Sequence, residues 1–218
     1  MPNETALPPK PGAADAEHYA RTAYDSKERF ASYWHQIDEI RRLQPDGLLE
    51  IGKGNGFFST YCRAHGIAVT TLDVDRSVHP DLVGSATCIP CADASFDAVA
   101  AFQILEHLPY AEFPRALREL RRVARRHVVI SLPDSTRTWR YMVHVPKLGE
   151  FSFMLRNPLR KPMTGVVSDQ HFWEIGQEGH PVGRIRREIE DAGLVILRQY
   201  RVFELPYHRF FVLTKAAP

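Results

Sequence analysis

Three glycines at alternating positions follow a short apolar run near residue 50 of the chain. The run, Leu48–Ile51, consists of aliphatic residues apart from one glutamate, which predicts a short buried β-strand. Gly52, Gly54 and Gly56 predict a sharp turn, because glycine reaches backbone conformations that a Cβ atom disfavours. The residues from Phe57 onward predict a helix. This order of strand, glycine turn (residues 52–56) and helix predicts a site where a ligand lies against bare backbone beside a helix N-terminus.

An acidic residue follows the second predicted strand, Ala68–Leu72. In an open parallel sheet the carboxyl end of that strand faces the crevice beside the first turn, so Asp73 can accept hydrogen bonds from both hydroxyls of a ribose. A dinucleotide fingerprint fits less well, because Phe57 occupies the place of its third glycine. The phosphate-binding pattern of a P-loop does not occur either. The pattern therefore favours a single nucleoside over a dinucleotide.

Several further stretches extend this pattern along the chain. In chain order they are Glu50–Gly56, Asp73, Val83–Ala86, Ile89–Pro90, Ser95–Val99, Gln103–Leu108 and Leu117–Val123. In this order and spacing they resemble the class I S-adenosylmethionine-dependent methyltransferases, in the branch that methylates mainly small molecules. The likeness runs from about residue 48 to residue 133. It implies an α/β, Rossmann-like fold with a mostly parallel seven-stranded sheet flanked by helices, a last antiparallel strand and a helical cap.

The resemblance also implies a binding site for the cofactor S-adenosyl-L-methionine. The glycines would give the methionine part access to the backbone, Asp73 would hold the ribose, the third-strand loop would border the adenine, and the fourth-strand loop would form the floor. The implied cofactor residues are Glu50, Gly52, Gly54, Gly56, Asp73, Val74, Ser85, Ala86, Thr87, Gln103, Ile104 and Leu105.

Three departures from the family pattern stand beside this likeness. Ser85 replaces the usual acidic residue near the adenine amino group, and a hydroxyl accepts a weaker hydrogen bond than a carboxylate. Lys53 is a bulky charge within the glycine turn, pointing either to solvent or to the methionine carboxylate. The usual Pro-Gly-Gly turn is missing, since Ala124–His127 runs directly into the next apolar run.

The rest of the chain is assigned around this core. Residues 1–14 are predicted to be a disordered tail, and residues 15–218 to form one methyltransferase domain. Within it, residues 15–46 are predicted to be an N-terminal helical lid, from which Tyr24 and His35 contact the cofactor. Residues 134–180 exceed the family pattern and are predicted to be an acceptor-binding insertion.

Two histidines are the candidates for catalysis. His107 follows the fourth strand, so the resemblance places it near the transferred methyl group as a general base. An equally weighted alternative is a loop residue that positions the methionine end. His171 is the second candidate, because the insertion can bring it over the pocket. Neither its spacing nor that of other histidines matches a helical zinc motif, so no metal site is predicted.

The composition excludes several other classes. The 28 basic and 26 acidic residues give a net charge of +2, which indicates no polyanionic partner. An arginine-rich helix near residue 120 is interrupted by acidic residues, so nucleic acid is not favoured as a partner. Cys88 and Cys91 have zinc-site spacing but no second pair. No apolar run approaches the length of a membrane span and no signal core is present, which predicts a cytoplasmic protein without a membrane partner.

The sequence thus predicts methyl transfer from S-adenosylmethionine to an oxygen or nitrogen of a small-molecule acceptor. The alternatives are an RNA or protein methyltransferase and a non-catalytic protein that binds S-adenosylmethionine. A nicotinamide-dependent oxidoreductase is disfavoured by Phe57 at the third glycine position. A monomer and a homodimer both stay open.

Overall fold

The computed structural model describes residues 26–157 and 170–216. The helices and strands of these residues are α1 (Lys27–Leu43), β1 (Gly47–Ile51), α2 (Phe57–Ala64), β2 (Ala68–Asp73), β3 (Leu82–Val83), β4 (Phe96–Phe102), α3 (Phe113–Val123), β5 (Ala124–Pro133), β6 (Thr138–Val145), β7 (Gly149–Arg156), α4 (Val182–Asp191), β8 (Leu194–Arg201) and β9 (His208–Lys215). Short 3₁₀ helices occur at Arg76–Val78, Leu105–His107 and Tyr110–Glu112. The predicted tail at 1–14 and the predicted contact at Tyr24 lie outside the described residues.

Seven strands form one sheet in the order β3-β2-β1-β4-β5-β9-β8. The first five strands pair in parallel, and β9 runs antiparallel to both β5 and β8. The chain moves outward from β1 to β3 and then returns to place β4 on the other side of β1. This reversal opens a crevice at the carboxyl ends of β1 and β4. The predicted mostly parallel seven-stranded sheet with a last antiparallel strand is confirmed.

The central strands are buried on both faces. Leu48 and Leu49 in β1 and all of Ala98–Ala101 in β4 have no exposed surface. Such continuous apolar runs are typical of parallel strands covered by helices on both sides. Helix α3 supplies part of that cover, with Phe113, Leu117, Leu120 and Val123 buried on one face. Helix α3 therefore packs this apolar face into the core.

The insertion after β5 differs from its prediction. Instead of a helical cap, its described residues form the two-stranded antiparallel sheet β6–β7, here called the hairpin. Its apolar residues alternate, so one face carries three cross-strand pairs: Trp139 with Leu155, Tyr141 with Phe153, and Val143 with Phe151. A period of two residues is typical of a strand rather than a helix, so the alternation along residues 138–156 is the sequence signal for the hairpin.

The base of the insertion is attached to the main sheet. Asp134 forms a parallel bridge with Ile175, and the Asn157 amide donates a hydrogen bond to the Arg137 carbonyl at 3.0 Å. The buried Asp134 carboxylate accepts a hydrogen bond from Arg209 Nε at 2.7 Å. The insertion therefore leaves and re-enters the domain at neighbouring positions.

None of the helices in the described ranges has the length and apolar content that crossing a bilayer requires.

Candidate functional site

A cavity lies at the carboxyl ends of β1, β2 and β4 and is bounded on another side by α1. The part of its surface that residues 26–157 and 170–216 form is called the described wall. It includes residues of the glycine turn, the ends of β2 and β4, the loop after β3, helix α1 and the end of the insertion. The segments that the sequence predicted to converge thus meet at one place.

The glycine turn contributes main chain to the described wall. Gly52 has a φ of +81° and its amide donates to the Leu72 carbonyl at 2.7 Å. A Cβ at Gly52 would lie 2.7 Å from Ile104 Cδ1, so a larger residue would push into the loop after β4. Gly54 also lines the cavity. Gly56 is not among the residues of the described wall, and it serves as the N-cap residue of α2 at a φ of +72°.

Asp73 lies in the described wall with its carboxylate held by two backbone amides. Oδ2 accepts from the Lys53 amide at 2.9 Å, and Oδ1 accepts from the Asp75 amide at 3.0 Å. These bonds fix the carboxylate at the end of β2, where it faces the cavity beside Val74. Each oxygen can accept a further hydrogen bond, which is what two ribose hydroxyls require.

Lys53 matches neither of the two orientations considered from the sequence. Its Nζ donates to the carbonyls of Val78 and His79, at 2.6 and 2.7 Å. The ammonium therefore stabilises the carbonyl end of the 3₁₀ helix after β2. The stem of Lys53 still forms part of the described wall.

The loop after β3 contributes Ser85 and Ala86 to the described wall. Thr87, which was predicted beside them, is not among the residues of the described wall. The Ser85 and Thr87 hydroxyl oxygens lie 3.0 Å apart, and the Thr87 amide donates to Ser85 Oγ at 3.3 Å. The local turn thus directs Thr87 toward its own loop.

Glu50 is the most buried acidic group of the described wall, with 4% of its surface exposed. Burial raises the pKa of its carboxyl to about 8, so the protonated form dominates at neutral pH. Its Oε2 has no hydrogen-bond partner within the described structure. A cationic ligand group at this place would satisfy the oxygen and restore its charge.

The loop after β4 contributes Gln103 and Ile104 to the described wall. Gln103 has a φ of +54°, and its amide Nε2 donates to Ser131 Oγ at 3.1 Å. Leu105 was predicted to join the floor but is fully buried in the core between sheet and helices. The 3₁₀ helix at Leu105–His107 turns this side chain inward, and Leu108 lines the cavity instead.

Helix α1 lies over the cavity as the lid prediction expected, although with other residues. Arg29, Ser32, Tyr33 and Gln36 line the cavity at helical spacing. His35 is absent from the described wall, since its ring packs against Tyr200 and Phe210 of the sheet. The i, i+3, i+4, i+7 spacing of these four residues is the signal by which the sequence could have identified this face, whereas the prediction named Tyr24 and His35.

Two contacts fasten α1 to the site. Asn55 Nδ2 donates to the Tyr33 hydroxyl at 3.0 Å, which joins the helix to the glycine turn. Ser32 Oγ lies 2.7 Å from Nδ1 of His208, the first residue of β9. His208 lines the cavity, and burial lowers the pKa of its imidazole to about 3, so it is neutral. No sequence motif pointed to this histidine.

The two candidate catalytic histidines are adjacent. His107 lies in the described wall, whereas His171 lies directly beside it and is not part of that wall. Their rings contact each other edge to face at a centroid distance of 4.9 Å. The insertion reaches the cavity through Gln170 and Phe172, and the Phe172 amide donates to the Glu106 carbonyl at 2.9 Å.

Comparisons with known proteins agree with this geometry. Residues 49–132 match a protein family described as a methyltransferase domain. A search of curated proteins gives no significant match. The chain is similar in structure to magnesium protoporphyrin IX methyltransferase from Synechocystis PCC 6803 with bound S-adenosylhomocysteine. The identity is 14% and the TM-score 0.59, over 87% of this chain and 84% of that chain.

Two further solved structures share the fold. One is the 1,6-didemethyltoxoflavin-N1-methyltransferase of Burkholderia thailandensis with its acceptor and S-adenosylhomocysteine, at 14% identity and a TM-score of 0.54, covering 95% of this chain and 93% of that chain. The other is a complex of the Trm112 methyltransferase activator and a methyltransferase from Haloferax volcanii, at 13% identity and a TM-score of 0.57, covering 90% and 96%. The structures support the fold. The family match over 49–132 supports the enzyme class, a methyltransferase that uses S-adenosylmethionine as its cofactor.

Proposed function

We propose that the cavity binds S-adenosylmethionine and that the chain transfers its methyl group to an oxygen or nitrogen of a small molecule. The observation that carries this proposal is the convergence of the glycine turn, Asp73 and the β4 loop on one cavity. Each of these segments comes from a different strand end, and together they offer bare backbone, a ribose acceptor and a shaped floor.

The cofactor is oriented by the chemistry of the wall. The main chain at Gly52 and Gly54 borders the methionine part, and Asp73 accepts from the ribose hydroxyls. Ser85 and Ala86 border the adenine. The Glu50 carboxyl contacts the ammonium group of the methionine part. This positive charge lowers the pKa of Glu50, because an opposite charge favours the ionised carboxylate.

The reaction needs alignment more than covalent participation by the protein. The acceptor atom attacks the methyl carbon in line with the carbon–sulfur bond, and the electron pair of that bond returns to the positively charged sulfur. Helix α1 and Phe172 bound the cavity and limit access of water to the reacting atoms. The side of the cavity near Gln36 and His208 is left for the acceptor.

Two observations favour a small acceptor over a nucleic acid. Arg122 at the end of α3 pairs with Glu119 at 2.7 Å, and Arg125 at the start of β5 pairs with Asp97 at 2.6 Å, so this basic region is partly neutralised within the chain. The Burkholderia structure of the same fold contains a small acceptor. A paired arginine binds phosphates more weakly, because the neighbouring carboxylate already neutralises its positive charge.

Calorimetry with S-adenosylhomocysteine tests the cofactor site. We expect one ligand per chain and a loss of about 10-fold or more in affinity for Asp73→Ala, since two charge-assisted hydrogen bonds are removed. The matched control is Asp191→Ala, an exposed aspartate at the end of α4. No binding by the wild type, or equal affinity in both variants, would overturn the assignment.

The acceptor class is tested with S-adenosylmethionine labelled in its methyl group. The protein is incubated with separated small-molecule, RNA and protein fractions of a cell extract. We expect label in the small-molecule fraction. Label confined to RNA or protein would overturn that part of the proposal while leaving the cofactor site intact.

A further inference from the structure

Three potential metal ligands meet beside the cavity. One ligand atom each from Glu106, His107 and His171 lies within 4.8 Å of the other two. Glu106 and His107 belong to the 3₁₀ helix after β4, and His171 comes from the end of the insertion. The sequence separation of 64 residues between His107 and His171 hides this cluster from motif reading, and no metal site was predicted.

Glu106 is the most unusual member of the cluster. Its side chain is fully buried, and neither carboxylate oxygen has a hydrogen-bond partner in the described parts of the chain. A buried carboxyl without a hydrogen bond costs free energy, and buried charges are normally paired or bound to a metal. A cation in contact with Glu106 would remove this cost.

Both histidines are held from behind in the way that metal-binding histidines are. His171 Nδ1 lies 2.9 Å from Glu174 Oε1, and His107 Nδ1 lies 2.9 Å from the backbone carbonyl oxygen of Gln170. Tyr207 contributes its hydroxyl to the same Glu174 oxygen. Ligating histidines usually donate their second ring N–H to a carboxylate or carbonyl, which fixes the ring and raises its basicity. This arrangement assigns Nε2 of each ring to the metal.

We propose that Glu106, His107 and His171 bind a divalent transition-metal cation, with Zn²⁺ as the best fit. Two imidazoles and one carboxylate form the protein ligand set of many catalytic zinc sites, and imidazole favours zinc over magnesium. Bonds of about 2.0–2.2 Å to one ion would place the ligand atoms about 3–4.4 Å apart, so small side-chain shifts suffice. His107 lies in the cavity wall, so a remaining coordination position of the ion is open to an acceptor.

The chemical role of the ion rests on the proposed function, whereas its binding does not. A cation at this place would lower the pKa of an acceptor hydroxyl, whose proton then leaves to water. The resulting oxygen anion forms the bond to the methyl carbon, the carbon–sulfur bond breaks, and its electrons neutralise the sulfonium. His107 and His171 would then act as ligands, in place of the general-base role predicted from the sequence.

Titration of the chelator-treated full chain with Zn²⁺ alone tests the site. Cys88 and Cys91 are free thiols that can bind zinc elsewhere, so the titration is carried out on a Cys88→Ser/Cys91→Ser background. We expect one Zn²⁺ ion per chain. In a separate experiment Co²⁺ replaces Zn²⁺, and we expect its visible absorption to be that of an ion with nitrogen and oxygen ligands. Glu106→Gln and His171→Asn should each weaken binding by about 10-fold or more.

Two variants serve as matched controls. Glu178→Gln and His65→Asn change exposed residues outside the cluster and should leave the zinc affinity unchanged. Circular dichroism and binding of S-adenosylhomocysteine verify that Glu106→Gln and His171→Asn are folded. Absence of zinc binding by the background protein, or equal affinity in the Glu106→Gln and Glu178→Gln variants, would overturn the metal site.

The outcomes also separate this inference from the proposed function. A chain that binds S-adenosylhomocysteine but no zinc retains the proposed function and loses the metal site. A chain that binds zinc through Glu106 but no S-adenosylhomocysteine retains the metal site and loses the proposed function.

Discussion

The buried carboxyl of Glu50 connects the stability of the fold to pH. Its pKa is about 8 in the folded chain, against an ordinary value of 4.5. The unfolded chain therefore releases this proton near pH 4.5, while the folded chain keeps it until about pH 8. Stability falls across this window as the pH rises, because the folded state binds more protons than the unfolded state.

Replacing Glu50 by glutamine should remove this contribution. Between pH 5 and pH 8 we expect the free energy of unfolding of Glu50→Gln to rise relative to that of the wild type, with a slope of at most about 1.4 kcal/mol per pH unit. Urea unfolding without cofactor at several pH values measures the difference. Glu190→Gln, at an exposed position of α4, is the control. Parallel curves for wild type and Glu50→Gln would contradict the prediction.

Individual residues show where sequence reasoning succeeds and where it ends. Gly52 and Asp73 were predicted because their chemistry is local: one permits a turn, and the other follows a strand. The Leu105 side chain lies in the core and not in the described wall, because a single 3₁₀ turn decides whether a side chain faces the core or the cavity. His208 was missed because its place at the cavity depends on β9 pairing with β5, a contact between distant parts of the chain.

At the scale of elements, helix α1 joins the lid to the glycine turn. Tyr33 stacks on Phe57 at a centroid distance of 4.6 Å, and its hydroxyl accepts from Asn55 in the turn. The ring anchors the helix, whereas the hydroxyl positions a residue of the cavity wall. These two functions can be separated by one substitution.

Tyr33→Phe keeps the ring and removes the hydrogen bond. We expect the dissociation constant for S-adenosylhomocysteine to rise about 2- to 10-fold, which corresponds to one hydrogen bond of about 0.5–1.5 kcal/mol. Tyr61→Phe is the control, because Tyr61 also stacks on Phe57 but is absent from the described wall. Calorimetry on both variants decides the matter: equal dissociation constants would show that the hydroxyl has no part in ordering the turn.

The elements themselves were largely predictable, with one exception. Strands β1, β2, β4 and β5 and helices α2 and α3 follow from apolar runs and periodicity that local sequence displays. The hairpin was mistaken for a helical region, although its apolar residues alternate along both strands. Its aromatic residues suit a half-buried strand, and the resemblance to a family with variable caps carried no information about this segment.

At the scale of the whole molecule, the site exists because the strand order reverses at β1 and β4. The reversal brings the ends of β1, β2 and β4 together, and the insertion delivers His171 and Phe172 to the same region. The sheet and its crevice could be predicted from strand order and resemblance. The contact between Glu106 and the insertion could not, since nothing local specifies where a segment more than 60 residues away returns.

The hairpin lies outside the described wall of the cavity. None of the described wall comes from residues 138–156, and Thr138 and Arg156 lie opposite each other at its base. Replacing residues 139–155 by Asn-Gly should close this base with a two-residue turn. We expect the dissociation constant for S-adenosylhomocysteine to stay within about 2-fold of the wild type. The deletion removes no residue of the described wall, so the change in binding free energy should not exceed that of one weak hydrogen bond.

Calorimetry measures this constant, and circular dichroism verifies that the shortened chain is folded. A folded chain that no longer binds S-adenosylhomocysteine would contradict the prediction and assign the hairpin a part in the cofactor site.

The paired ends of the insertion have a consequence for how such a chain can be altered. Asp134 forms a bridge with Ile175, and the Asn157 amide donates a hydrogen bond to the Arg137 carbonyl. The chain segments that lead into and out of the hairpin therefore lie side by side. A different hairpin grafted between residues 137 and 157 would therefore enter and leave at one pair of neighbouring junctions, and the loop-closure entropy would change little with its length. It would lose the hydrogen bonds that Arg140 donates to the Phe203 and Glu204 carbonyls. The main sheet and the described wall of the cavity can then stay unchanged while the hairpin is exchanged.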